Sequence, residues 1–220
     1  MSGPIVAIVA VAGLGAGLFV AEIAYRLPDP APLRLATRAA IAVVHSAAWA
    51  MTSIRWERWW QVVPYALLGS TLVCVSVIDL RVYRIPNRVV FPSLALSFAL
   101  VIVATWRLEP TDSWAYFRGA LVGTAVYFAL LLVPHLIYPK GLGMGDVKLA
   151  LVMGLYLGWG RGAFDAFGII ASALFVGCLL GVVSGVLVNA VRKRNGAFPF
   201  GPSLAAGCFF VLMQATGSTV

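Results

Sequence analysis

Eight carboxylates are spread over this 220-residue chain, few enough to weigh singly: Glu22, Asp29, Glu57, Asp79, Glu109, Asp112, Asp146 and Asp165. Asp29, Glu57, Glu109 and Asp112 fall in loops between apolar runs, where water accounts for them. Asp165 stands near the solvated start of another run. Glu22 lies in the last turns of the first run, close enough to an interface for its head to reach water. Asp79 and Asp146 differ from these. One closes an apolar run and the other opens one, and both fall on the same side when the runs are threaded through a bilayer. An ionisable group within a spanning segment is costly, so by default it signals function. The plain structural alternative is an interfacial carboxylate paired with Arg81 or Lys148.

Two carboxylates in one partly dry site share a proton, because both cannot ionise readily. Peptide hydrolysis uses that division. The ionised partner takes a proton from water, which attacks the carbonyl. The neutral partner donates to the developing oxyanion and helps the amine leave. Asp146 would sit at a helix N-terminus, where the dipole favours the anion, and Asp79 at a C-terminus, where it does not. The dipole therefore favours Asp146 as the base and Asp79 as the acid, although a coupled pair titrates as a unit.

The surroundings of both acids are distinctive. Gly141, Gly143 and Gly145 precede Asp146, and Lys148 follows it. Glycines let another backbone approach closely, which an extended substrate strand beside a catalytic carboxylate requires. After Asp79, the pair Pro86-Asn87 suits a helix start, with Asn87 as its N-cap. The stretch Phe198-Pro199-Phe200-Gly201-Pro202 reads as a kinked lead into the last apolar run, for which no function is needed.

These residues must be positioned by membrane helices. The chain is 61% hydrophobic and 11% charged, with a mean hydropathy of +0.95, whereas a soluble domain carries about 25% charged residues. Eight apolar segments follow one another, at roughly 4–25, 36–54, 60–80, 88–106, 116–138, 146–159, 164–191 and 199–216, most of them near the length a spanning helix needs. The second is the least apolar and holds His45. The seventh is long enough to be tilted or interrupted at its glycines, and its small residues (Ala171, Ala173, Gly177, Gly181, Ser184, Gly185) suit close helix packing. The first basic residue, Arg26, comes after the first segment rather than before it, which argues for a retained helix with its N-terminus outside. The face that collects the loops after segments one, three, five and seven then holds Arg26, Arg34, Arg38, Arg81, Arg84, Arg88, Lys140, Lys148, Arg192, Lys193 and Arg194. The other face holds Arg55, Arg58, Arg107, Arg118 and Arg161. This bias puts the first face in the cytoplasm. The expectation is an all-α integral membrane protein of about eight transmembrane helices, N-out and C-out, forming one domain over 1–220.

The same bias explains the net charge of +8 without nucleic acid as a partner. Cys74, Cys178 and Cys208 lie singly in apolar runs and form no CxxC, so they read as buried packing thiols. No cofactor and no metal is expected.

At this point the motifs acquire a specific resemblance. Asp79 through Asn87 resembles the Asp-x5-Ile/Leu-Pro-Asn/Asp motif of the type IV prepilin peptidases, which are GxGD intramembrane aspartic peptidases. Gly143 to Lys148 resembles their GxGDxK motif, Phe198 to Pro202 their C-terminal PFGP, and Gly17 to Pro28 the end of their first helix. The resemblance implies a multi-pass enzyme of the bacterial cytoplasmic membrane. It would remove the short basic leader of prepilins or pseudopilins at the cytoplasmic face, after a glycine. It implies Asp79 and Asp146 as the catalytic pair, and Gly143, Gly145, Lys148, Pro86 and Asn87 as motif or substrate-binding residues. Full-length members also carry a cysteine-bearing cytoplasmic insert after their first helix, linked to N-methylation. Here that interval is only about Leu27 to Leu35, without cysteine, and Ala21 stands where many members have Asn. A short form without methyltransferase activity is expected. The rival readings are a proton- or ion-coupled transporter, which would place its acids near the midplane in repeated halves, and a non-catalytic scaffold of a pilus or secretion machine.

Overall fold

A computed structural model describes residues 3–27, 33–107, 110–139, 141–192 and 199–215. They form eight helices, with no strand among the described residues: α1 (Gly3–Arg26), α2 (Leu35–Arg55), α3 (Trp59–Val82), α4 (Asn87–Thr105), α5 (Pro110–Ile137), α6 (Met144–Gly158), α7 (Ala163–Arg192) and α8 (Gly201–Gln214). Five of these, α1, α3, α4, α5 and α7, are long and apolar enough to cross a membrane. The all-α membrane architecture expected from hydropathy therefore holds. Its largest boundary error is at α5, which starts at Pro110 and so takes Asp112 out of the expected loop into its first turn. The fixed φ of proline suits that first position. Nor is α7 interrupted at its glycines, since it runs unbroken for 30 residues. Pro28, Pro30 and Pro32 of the interval after α1 lie outside the described residues, as do Asp29, Glu109, Lys140, Lys193, Arg194 and Phe198.

The weakly apolar α2 buries one stripe, Ile41, Ala42, His45, Ala48, Thr52 and Ser53, and the polar groups of that stripe are satisfied there. His45 is fully buried, donating from Nδ1 to the Gly13 carbonyl at 2.8 Å, with Nε2 2.8 Å from Ser70 Oγ. Trp49 Nε1 donates to the same Ser70 Oγ at 3.0 Å. Together α1, α2 and α3 are pinned by hydrogen bonds that lipid could not supply.

Beside them α6 forms the centre, with nearly all of its residues from Asp146 to Gly158 buried. Its partner is α5, and here backbone meets backbone. A Cβ on Gly119 would lie 2.6 Å from the Gly158 oxygen, and one on Gly123 2.8 Å from the Gly158 Cα and closer still to the Gly154 oxygen. The two helices thus oppose Gly119-x3-Gly123 to Gly154-x3-Gly158. Apolar side chains gain little from leaving lipid for a neighbouring helix, so close van der Waals packing of this kind drives association. The seventh helix packs similarly, though less tightly. Its buried stripe is Ala173, Gly177 and Gly181, against Leu204, Gly207 and Phe200 of the α8 region. Ala171 is exposed, and so is Cys178, which departs from the expectation of a buried thiol because it lies off that stripe.

Candidate active site

Asp79 lies in the last turn of α3. The helix ends because Tyr83 takes the left-handed conformation (φ 54°, ψ 35°), its N–H bonding to the Asp79 carbonyl at 2.9 Å. A left-handed residue after the last turn is the usual helix stop, more often glycine. The chain then turns back through Ile85 and Pro86 into α4. Pro86, not Asn87, is the N-cap residue, and no side chain caps this helix. Asn87 is the first helical residue, and its Oδ1 accepts from Lys148 Nζ at 3.0 Å. The two expected motifs are therefore joined side chain to side chain at one end of the bundle.

Asp146 is the third residue of α6, after the N-cap Gly143. Glycine has no side chain to cap the helix, and Asp146 compensates from within. Its carboxylate turns back towards Gly143, in the manner of half a capping box. Asp146 Oδ2 lies 3.1 Å from where a Cβ on Gly143 would stand, so the glycine leaves that carboxylate its place. Asp146 Oδ1 is buried without a hydrogen-bond partner. Such an atom is rare in a native interior, and a catalytic role is one of the few explanations for it.

Asp79 finds its donor on a different element. The Gly201 N–H, at the first residue of α8, donates to Asp79 Oδ2 at 3.0 Å. The kinked lead into α8 is thus part of the site, against the expectation that it needs no function. Asp79 also faces the positive end of a helix after all, that of α8. The dipole difference that favoured Asp146 as the ionised partner loses its basis, because each carboxylate meets one helix N-terminus.

Ile85 sits between the two acids. A Cβ on Gly145 would lie 2.7 Å from Ile85 Cβ, and one on Gly201 would lie 3.2 Å from Ile85 Cδ1 and 2.8 Å from Asp79 Oδ2. Gly145 and Gly201 are glycines because that side chain and that carboxylate occupy the space. Asp79 and Asp146 are only 6% and 7% exposed and lie within electrostatic reach of each other. Neither of the cations named as ion-pair partners serves that role in the hydrogen bonds described, since Lys148 is on Asn87 and Arg81 donates to the Ala24 carbonyl. Among the described residues the salt bridges are those of Glu22 with Arg26 and Arg38.

All seven residues singled out in the sequence (Asp79, Pro86, Asn87, Gly143, Gly145, Asp146, Lys148) thus lie at the same end of the bundle. Gly201 and Ile85 join them. The signal for Gly201 was present, a glycine between prolines at the mouth of a helix on the same face as both acids.

The sequence pattern of the type IV leader peptidase family matches residues 66–186, more than half of the chain and including both aspartates. The chain belongs to the type IV leader peptidase family. It is 34% identical over 172 residues to a prepilin leader peptidase/N-methyltransferase of Bacillus subtilis (strain 168), covering 76% of this chain and 62% of that one. A protein of the same description from Pseudomonas putida is 30% identical over 148 residues, covering 66% of this chain and 48% of that one. One from Stutzerimonas stutzeri is 26% identical over 156 residues, 70% of this chain and 50% of that one. The chain spans about half to three-fifths of the length of these curated relatives. No solved structure matches it.

Proposed function

We propose that this protein is an aspartic endopeptidase that removes the leader of prepilins or pseudopilins, with Asp79 and Asp146 as its catalytic pair. One observation carries the reading. Two carboxylates, each more than nine-tenths buried, come from α3 and α6 to one end of a bundle of apolar helices. A buried pair of this kind holds one proton between its members. Its ionised member activates water, and its neutral member supports the oxyanion and the departing amine. The Gly201 N–H fixes one oxygen of Asp79, and Asp146 Oδ1 is buried without a partner, which leaves oxygens for water and substrate. Gly145, Gly201 and the Ile85 loop would border the extended strand to be cut, and the Lys148–Asn87 bond would hold the α4 and α6 starts together.

The site end faces the cytoplasm of a bacterial cell in this reading, with both termini outside, the chain acting as one membrane domain bathed in lipid. The connection between α1 and α2 leaves no room for a cysteine-bearing insert, so cleavage without methylation is expected.

The test is to incubate the purified protein with a prepilin and S-adenosylmethionine in detergent and to weigh the product. Mature pilin without its leader and without an added methyl group is expected. Asp79→Ala and Asp146→Ala, folded as judged by thermal melting, should yield none. Failure of the native protein to cut any prepilin or pseudopilin offered would overturn the reading, and normal cutting by either variant would remove that aspartate from it.

A further inference from the structure

The loop that carries Asp146 is held by a residue outside every motif above. His135 stands in the last turn of α5, and its Nδ1 lies 2.7 Å from the Leu142 carbonyl oxygen. A carbonyl can only accept, so Nδ1 carries the proton and donates. The loop between them is short, and the main-chain bonds of its described residues are local. The Tyr138 N–H bonds the Pro134 carbonyl at 2.8 Å, and the Gly141 N–H bonds the Tyr138 carbonyl at 3.0 Å. The Tyr138 ring also covers Gly141 closely enough to exclude a Cβ there.

What the His135 bond fixes is a peptide plane. The Leu142 carbonyl and the Gly143 N–H belong to one planar trans unit and point in opposite directions. When His135 draws the carbonyl to its side, the Gly143 N–H must face the other way. Beside this glycine stands the Asp146 carboxylate, with Oδ2 3.1 Å from the position a Cβ on Gly143 would take.

We infer that His135 is a positioning residue for Asp146, acting through the Leu142–Gly143 peptide. Without this donor the peptide is free to rotate, because Gly143 and Gly141 resist such a change less than other residues. The main chain beside the carboxylate then no longer has a fixed orientation. Protonation of the ring leaves the bond intact, since the Nδ1 proton is present in both forms.

The inference rests on the proposed peptidase reading in one respect, the activity assay, so the experiment has a second arm that needs no substrate. Three variants are compared with the native protein: His135→Ala, His135→Asn and His135→Gln. Asparagine places an amide N–H₂ where Nδ1 stands, whereas glutamine carries it on towards Nε2. In the first arm, exchange of the Gly143 amide proton is followed by NMR in detergent. His135→Ala and His135→Gln should exchange at least about tenfold faster than the native protein, and His135→Asn within about threefold of it. In the second arm, kcat for prepilin cleavage should fall at least about tenfold in His135→Ala and His135→Gln with KM within about twofold, and return in His135→Asn. Native exchange in His135→Ala, or equal rescue by glutamine and asparagine, would overturn the inference. Absence of cleavage by the native protein, with the exchange pattern as expected, would overturn the peptidase reading alone.

Discussion

At the scale of residues, Asp79 receives the Gly201 N–H while Asp146 Oδ1 is buried without a partner, and a pair so placed has a consequence for pH. A pair that shares a proton works only while one member is charged. The rate of leader cleavage should therefore fall at low pH, where both carboxyls are protonated, and again at high pH, where both are ionised. A bell-shaped profile of kcat is expected, measured over the range in which the helical circular dichroism stays constant. The contact of Gly145 with Ile85 makes a sharper demand. Gly145→Ala places a methyl 2.7 Å from Ile85 Cβ and should lower kcat/KM by about tenfold or more, a barrier change of about 1.4 kcal/mol. Ile85→Gly in the same chain should restore part of it, because it removes the Cβ that the added methyl meets, and a steady-state cycle of the two single variants and the double variant measures this. Asp79 and Asp146 were legible in the sequence because a carboxylate at the edge of an apolar run is costly wherever the chain goes. Gly201 was visible as a glycine between prolines, but its bond to Asp79 was not, since it joins residues 122 apart and no local pattern encodes such a meeting.

Among the elements, the α5–α6 contact is the one that a single side chain should break. Gly154→Leu would drive a branched side chain into the Gly123 carbonyl and the Thr124 backbone. Overpacking of this sort costs about 1–3 kcal/mol where neighbours can move, and main chain moves less readily than side chains. The melting temperature in detergent should drop by several degrees, while Gly15→Leu, on an open face of α1, should leave it unchanged. The spans themselves were readable to within a few residues except at the start of α5, because mean hydropathy measures how much chain lipid can accept. Which helix touches which was not readable from hydropathy, because faces turned to lipid and faces turned to protein are equally apolar. Phe175 and Val186 are exposed while Ala173 and Gly177 on the same helix are buried. The two Gly-x3-Gly pairs were the available clue, and the small residues of α7 drew attention away from them.

On the scale of the whole molecule, Arg81, Arg84, Arg88 and Lys148 lie at the end that holds the aspartates, so the orientation can be tested directly. In a variant lacking Cys74, Cys178 and Cys208, a cysteine at Tyr83 should react with an impermeant reagent only from the cytoplasmic side, and one at Trp106 only from outside. Both positions are exposed, and α4 separates them. Labelling of the two from one side would mean that α4 does not cross. Within that frame the glycine contacts of α5 and α6 have a mechanical meaning. Two helices whose main chains touch have no layer of side chains to slide on, so they behave as one stiff bar, with Asp146 at its tip. Asp79 belongs to the opposite body, α3 with the start of α8. Between the Gly145 and Gly201 sides stands a side chain, Ile85, on the four-residue connection 83–86. A seam of side chains yields before a seam of main chain. The loop after α3 is therefore the part expected to give first when the two sides separate, with α5–α6 as the fixed surface beside it.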